Sequence, residues 1–125
     1  MSTTPTADLA RFIADLEYDD LPVAIRERVK DMLLDALASA LAGHHGDETR
    51  QIHALASALG SSEEASVIGG GKLSLAGATM LNGYLITAVT VCDVHRPTLF
   101  HTTPQVVPPA LAIAERAGAS GRALL

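Results

Sequence analysis

The stretch LSLAGATMLNGYLITAVTVC, residues 73–92, runs for twenty positions without a charged side chain. Ser74 can accept a hydrogen bond at the start of a helix, and the residues that follow are apolar on nearly every face. A helix that is hydrophobic all round is normally buried inside a domain. The stretch therefore predicts a buried central helix over residues 75–91, within an all-α helical bundle.

A membrane span is the alternative interpretation of this stretch, because about 20 apolar residues are enough to cross a bilayer. Asn82 lies near its centre, where a side-chain amide is costly in lipid. Lys72 and Asp93 flank the stretch without a basic cluster or an aromatic belt. We therefore expect a buried helix and no membrane partner.

Apolar residues recur at helical spacing along most of the remaining chain. In the first helix, which a Thr at position 4 or 6 caps, Leu9, Phe12, Ile13 and Leu16 share one face. Gly43 is expected to end the second helix in a left-handed turn. The predicted helices run to about residue 18, then cover residues 22–43, 48–59, 75–91 and 103–117, and a further one begins at residue 120.

The third helix, over residues 48–59, is expected to begin at an Asp47 cap and to end before Gly60. Its inward face is predicted to carry Ile52, Leu55, Ala56 and Leu59. Residues 65–68 are expected to be extended, and the three glycines that follow them to form a turn.

The composition indicates the fold class, the kinds of partner and the cellular compartment to expect. Alanine and leucine fill 38 positions and only four residues are aromatic, which favours closely packed helices over a β-sandwich. The net charge of −5 leaves no basic stripe for nucleic acid. One cysteine and an N-terminus without a secretory signal predict a cytoplasmic protein, and 125 residues predict a single domain.

The loop over residues 93–103 carries most of the residues suited to chemistry. His95 and His101 can move a proton near neutral pH, and Asp93 can orient one of the imidazoles. Arg96 can hold a carboxylate through two hydrogen bonds, and Thr102 adds a hydroxyl. The alternative is a polar surface loop without a role. Loops on helical scaffolds often carry function, so the first interpretation is worth testing.

A metal site in the same loop is a further alternative. Cys92, His95 and His101 can be written as Cys-x2-His-x5-His, but no fourth ligand stands at a recognisable spacing. Structural zinc sites usually have four protein ligands. We therefore expect no metal.

The order of the segments resembles the N-terminal helical domain of the 2-methylcitrate dehydratase (MmgE/PrpD) family, over essentially the whole chain. The ordered series carries the resemblance, rather than any single motif. The matching segments are Leu9-Ala10-Arg11-Phe12-Ile13, Leu21-Pro22, Val29-Lys30, Leu33-Leu34-Asp35, Leu41-Ala42-Gly43, Ala65-Ser66-Val67-Ile68-Gly69, Asn82-Gly83, the loop over residues 93–101, Pro109-Ala110-Leu111-Ala112 and Ala114-Glu115.

The resemblance implies acid–base chemistry on a small polycarboxylate, without a cofactor, by a lyase or an isomerase. Family members include 2-methylcitrate dehydratase, cis-aconitate decarboxylase and iminodisuccinate epimerase. The family also implies a homodimer and a second α+β domain, which is not present in this chain. It places His101 at the position of a family histidine, and Asp93 and His95 at the end of an Asp-Asp-x-His segment.

Three positions depart from the family pattern. Thr87 stands in place of a histidine, Thr90 in place of an aspartate, and Cys92 in place of the first of two paired aspartates. These changes remove charge and proton-accepting groups. They are compatible with a divergent branch that has another substrate, or with an inactive one.

The chain is expected to be one domain, residues 1–125, that is incomplete at its C-terminal end, because an apolar helix has only begun at Leu124 and Leu125. We expect the isolated 125 residues to be inactive. The alternative function is a truncated, non-catalytic helical module that associates with itself or with a missing C-terminal half.

Overall fold

The structure, a computed structural model, describes residues 4–125. Within this range the chain forms six α-helices, one short 3-10 helix and a small antiparallel sheet of two strands. The elements are α1 (Pro5–Asp15), the 3-10 helix (Tyr18–Asp20), α2 (Val23–Gly43), α3 (Thr49–Ala58), β1 (Ala65–Ser66), β2 (Lys72–Leu73), α4 (Leu75–Thr87), α5 (Thr102–Ala117) and α6 (Gly121–Leu124). The expected all-α class is confirmed, with the small sheet as an addition.

Helix α4 is the centre of the bundle, as the uncharged run predicted. It packs against α2, α3 and α5, and the side chains of Leu81, Leu85 and Ile86 are fully buried. The neighbouring helices meet it mainly with small residues, such as Ala40 of α2 and Ala56 of α3. Small side chains let the helix axes approach closely, so alanine richness is what allows this core to form without many aromatic rings.

Two glycines mark the points of closest approach to α4. A Cβ atom on Gly43 would lie 2.0 Å from the backbone oxygen of Leu85, and one on Gly77 would lie 2.5 Å from the backbone oxygen of Ala56. The expected left-handed turn at Gly43 is wrong, because Gly43 is the last residue of α2 and does not have a positive φ. Gly118 does end α5 in the left-handed conformation, with φ of 60°.

The two strands are held to the core by one buried amide. Ala65 pairs with Leu73 and Ser66 with Lys72. The side chain of Asn82, 2% exposed, donates from Nδ2 to the carbonyl of Ser66 over 2.9 Å. Its Oδ1 accepts from the backbone N–H of Ile68 over 2.8 Å. Asn82, whose amide disfavours a membrane span, thus holds the segment around β1 against α4.

Several helix ends differ from the prediction. Helix α1 begins at the Thr4 cap but ends at Asp15, because Glu17 and Asp20 form a reciprocal capping box around the 3-10 helix. Helix α4 ends at Thr87 rather than at residue 91. The β-branched run over residues 89–91 has lower helix propensity and contains Thr90 at a φ of 56°. Helix α3 has Glu48, not Asp47, at its N-cap.

Two predicted apolar faces are largely uncovered. Of the four residues expected to face inward on α3, Ala56 is buried and Ile52 is half-buried, while Leu55 and Leu59 are about half exposed. On α1 no residue is buried, and Phe12 keeps 60% of its surface exposed. No helix within residues 4–125 is both long and apolar enough to cross a membrane.

Candidate functional site

The loop over residues 88–101 joins the end of α4 to the start of α5 and is folded back on itself. The backbone N–H of His95 donates to the carbonyl of Phe100 over 2.8 Å, and that of Thr98 donates to the carbonyl of His95 over 3.1 Å. Leu99 completes this tight turn in the left-handed region, with φ of 54°. The turn places His95 and His101 on one short, exposed segment at the head of α5.

Asp93 caps the start of α5. Its Oδ1 accepts a hydrogen bond from the backbone N–H of Thr103 over 2.9 Å and a further, short one from the Thr103 hydroxyl. Partial burial alone would raise the pKa of Asp93, but the hydrogen bonds from Thr103 and Thr102 outweigh it and hold the pKa below its ordinary value. Asp93 is therefore a fixed anion that orders the first turn of α5.

His101 occupies the N-cap position of α5, with an exposed side chain. Its Nδ1 atom lies 3.4 Å from the sulfur of Cys92. The Cys92 thiol also donates to the Thr87 hydroxyl oxygen over 3.4 Å. Within residues 4–125 the Nε2 atom of His101 has no hydrogen-bond partner, so this atom is open to solvent or to a ligand.

The other candidate residues make fewer contacts with the rest of the site. The Nδ1 atom of His95 lies 2.7 Å from the hydroxyl oxygen of Thr98, within the loop itself. Arg96 is exposed and forms no ion pair with the described residues. Thr102 is half-buried at the first position of α5 and contributes to the hydrogen bonding of Asp93. The carboxylate of Asp93 is thus bonded to the helix rather than to an imidazole.

Two contacts in this site, between Asp93 and Thr103 and between Cys92 and His101, are not predicted by the sequence pattern. Thr103 was expected only to restart a helix, whereas it is the main partner of Asp93. Cys92 was considered as a metal ligand and as a departure from the family pattern, whereas it touches His101. An Asp that precedes a Thr-Thr-Pro helix start by nine residues is a signal that could have identified the first contact. Among residues 4–125, no group of three His, Cys, Asp or Glu side chains is placed to hold a metal ion.

A groove of about 270 Å³ lies behind the start of α5, between α5 and α2. Thr102 and Thr103 form its polar end, and the other walls are apolar, among them Val29, Met32 and Val106. The basic side chains of the loop, by contrast, are exposed. The site is therefore an open surface that presents two imidazoles and a guanidinium beside a fixed carboxylate.

Comparison with known proteins places the chain in a family. The family described as the MmgE/PrpD N-terminal domain matches residues 7–125. The chain is 31% identical over 111 residues to a cis-aconitate decarboxylase-like protein, oryM, of Aspergillus oryzae, covering 88% of this chain and 23% of the relative. It is 28% identical over 120 residues to a cis-aconitate decarboxylase of Aspergillus terreus, covering 95% of this chain and 24% of the relative.

The chain thus spans about a quarter of the length of the curated relatives it matches. No solved structure matches it at a significant level. The match of the family description over nearly all residues agrees with the resemblance seen in the ordered segments and with the helical architecture. The chain belongs to the MmgE/PrpD family, and it corresponds to that family's N-terminal domain.

Proposed function

We propose that this chain is the N-terminal domain of a cofactor-free lyase that acts on a small polycarboxylate by acid–base chemistry. The observation that carries the proposal is the exposed loop at the head of α5, where His101, His95 and Arg96 stand beside the ordered Asp93. Two relatives named as cis-aconitate decarboxylases make cis-aconitate the first substrate to test. Dehydration of 2-methylcitrate is the second reaction to test within the same family.

Removal of carbon dioxide or water from a polycarboxylate places two requirements on the protein. Carboxylates must be anchored, and charge that develops as carbon dioxide or water leaves must be stabilised where water is excluded. In a decarboxylation, the bond to the departing carboxyl carbon breaks and its electron pair stays on an allylic carbon, which then takes a proton. We propose that His101 supplies this proton and that Arg96 and Thr102 bind a substrate carboxylate, with His95 as a second proton carrier.

The loop does not provide a closed pocket, and its basic groups are few. We therefore propose that a second domain covers the loop and supplies further cationic groups. On this proposal the 125 residues alone bind substrate weakly and do not turn it over. Residues 4–125 then act as the half of the site that positions His101.

The test compares the chain alone with the full-length polypeptide, each incubated with cis-aconitate and with 2-methylcitrate, with products followed by proton NMR. We expect turnover only for the full-length polypeptide, and a loss of about 10²–10⁴-fold for His101→Ala, the range for a positioned acid or base. His53→Ala, on the exposed face of α3, is the matched control and should change the rate less than twofold. Full activity in His101→Ala would overturn the assignment.

A second candidate function is a non-catalytic module that associates with another copy of this chain. The observation that favours it is the apolar face of α1, where Leu9, Phe12 and Ile13 are each more than half exposed. Sedimentation at several concentrations tests it: Phe12→Asp should convert an associated species into a monomer. A wild-type chain that stays monomeric at about 100 μM would exclude this candidate, since specific association in the micromolar range corresponds to about −8 kcal/mol.

A further inference from the structure

Thr87, Cys92 and His101 form a short hydrogen-bonded chain that leads from the end of α4 to the start of α5. The sulfur of Cys92 lies 3.4 Å from the hydroxyl oxygen of Thr87 and 3.4 Å from the Nδ1 atom of His101. Both distances suit hydrogen bonds that involve sulfur. Thr90, at a φ of 56°, turns the backbone between α4 and Cys92 so that the three side chains can meet.

The number of available hydrogens determines which atom donates in each hydrogen bond between Thr87, Cys92 and His101. A thiol has one hydrogen, and that of Cys92 is donated to the hydroxyl oxygen of Thr87. Toward His101 the sulfur can then act only as an acceptor, so the Nδ1 atom carries the hydrogen of the neutral imidazole. The proton-accepting lone pair is left on Nε2, which faces away from this contact and has no partner among residues 4–125.

We infer that Cys92 is a positioning residue, which holds His101 in the Nδ1–H form and presents Nε2 as the atom that takes up and delivers the proton. The catalytic role of this contact rests on the proposed function, but the contact between Cys92 and His101 does not depend on a substrate. A side chain that accepts from Nδ1–H and directs Nε2 toward the reactant is the arrangement that a carboxylate provides in hydrolytic triads. Here a sulfur provides it, at a position where the resemblance implies an aspartate.

In the proposed reaction Nε2 is the only atom of His101 that gains or loses a proton. Nε2 takes a proton from water before the reaction, and the resulting imidazolium delivers it to the allylic carbon as carbon dioxide leaves. Throughout, the Nδ1–H bond to sulfur stays in place, so the ring does not have to turn or exchange tautomers between steps. In a dehydration the same atom would first remove a proton from carbon.

The test is the nitrogen-15 NMR spectrum of the histidine rings in the 125-residue chain, recorded between pH 6 and 9 without substrate. For His101 we expect the neutral ring to show the Nδ1–H pattern, whereas the exposed His45 shows averaged shifts from two exchanging tautomers. Cys92→Ala should move the His101 shifts to the averaged values, and Cys92→Ser, which keeps an acceptor, should retain the Nδ1–H pattern. Averaged shifts for His101 in the wild-type chain would overturn the inference.

A second variant tests the direction of the hydrogen bonds and does not depend on how Cys92 variants fold. Thr87 is exposed, and Thr87→Val preserves its shape while it removes the acceptor of the thiol hydrogen. The thiol is then expected to donate to Nδ1, which shifts the ring to the Nε2–H form. Unchanged His101 shifts in Thr87→Val would contradict the inference. An Nδ1–H pattern without turnover in the full-length polypeptide would refute the proposed function and leave the positioning contact standing.

Discussion

Gly77 shows how a single hydrogen in place of a methyl group sets the distance between two helices. Its Cα faces the backbone oxygen of Ala56, and an added Cβ would lie 2.5 Å from that oxygen. Backbone atoms of a packed helix cannot move aside as a flexible side chain can. The glycine is therefore required by the contact between α3 and α4, although glycine usually weakens the interior of a helix.

We predict that Gly77→Ala lowers the free energy of unfolding by about 1–3 kcal/mol, the usual cost of overpacking a core. The direction of this change is informative, because in an unhindered helix alanine raises the stability by up to about 1 kcal/mol relative to glycine. Urea unfolding followed by circular dichroism measures the change. Gly71→Ala is the matched control, because its Cβ would meet no atom within 4 Å, and it should change stability by less than about 0.5 kcal/mol. Equal effects in the two variants would refute the contact.

Asn82 gives a second prediction at the scale of the residue. Asn82→Ala leaves the carbonyl of the exposed Ser66 and the N–H of the half-buried Ile68 without their partner, and each lost hydrogen bond costs about 0.5–1.5 kcal/mol. We expect a loss of about 1–3 kcal/mol in the same urea experiment, on the same principle. Gln105→Ala, which removes an exposed amide from α5, is the control. A loss below about 0.5 kcal/mol for Asn82→Ala would show that the amide does not hold the β1 segment.

Among the elements, α5 is joined to the two strands by one carboxylate. Glu115 accepts from the N–H and the hydroxyl of Ser66 over 2.7 and 2.8 Å, and it lies 2.8 Å from the ammonium nitrogen of Lys72. Lys72 and the two groups of Ser66 lower the pKa of Glu115 from 4.5 to about 2. Helix α5 thus has a polar contact with the sheet at its C-terminal half, while Asp93 fixes its first turn.

This contact predicts how stability depends on pH. The pKa of Glu115 is lower in the folded chain than in the unfolded one, so its contribution is complete above about pH 4.5 and is lost as the pH falls toward 2. We expect Glu115→Gln to lower the urea midpoint at pH 6 and to flatten the decline of stability between pH 4.5 and 2. Glu63→Gln, in the exposed turn before β1, is the control. A wild-type decline that persists unchanged in Glu115→Gln would refute the prediction.

Across the whole molecule, the beginning and the end of the described chain meet around one ring. The guanidinium carbon of Arg122 lies 4.0 Å from the centre of the Tyr18 ring, and that of Arg26 lies 4.7 Å from it. Asp19 accepts from Arg122 over 2.7 Å and is also within 3.9 Å of Arg26. The 3-10 helix is therefore linked to both α2 and α6, although α1 itself buries no residue.

We predict that Tyr18→Leu costs about 1 kcal/mol, because cation–π contacts near the protein surface contribute about 0.5–1 kcal/mol each. The loss should shrink as sodium chloride is raised from 0.05 to about 1 M, since salt screens the attraction between the two guanidinium groups and the ring. Phe12→Leu, on the exposed face of α1, should leave the urea midpoint unchanged. If both variants lose the same stability, the link between the ends of the chain makes no net contribution.

The helices can be predicted from the sequence where the local residue pattern determines the structure. The uncharged run predicts α4, the spacing of Leu9, Phe12 and Ile13 predicts α1, and Gly118 predicts the end of α5. The pattern fails where a distant residue decides. The sequence places the end of α2 correctly at Gly43, but the left-handed turn expected there is absent, and the glycine is instead required by the close approach of the backbone of Leu85, 42 positions later.

For the candidate site, the sequence predicted the loop but not its internal contacts. The loop follows from the density of Asp, His and Arg between two apolar helices. The contact between Cys92 and His101 depends on a backbone that turns through left-handed Thr90 and Leu99, and neither residue type signals that conformation. The capping of α5 by Asp93 likewise needs the loop to fold back.

The central position of α4 also has a consequence during synthesis. Its partners α2 and α3 precede it along the chain, but α5 follows it and is complete only at Ala117, 30 residues after Thr87. At translation rates of about 5–20 residues per second, the ribosome needs about 2–6 s to add that segment. For this interval the nascent chain exposes the apolar side of α4 that α5 later covers, and a chaperone that recognises apolar helices has its best opportunity to bind then.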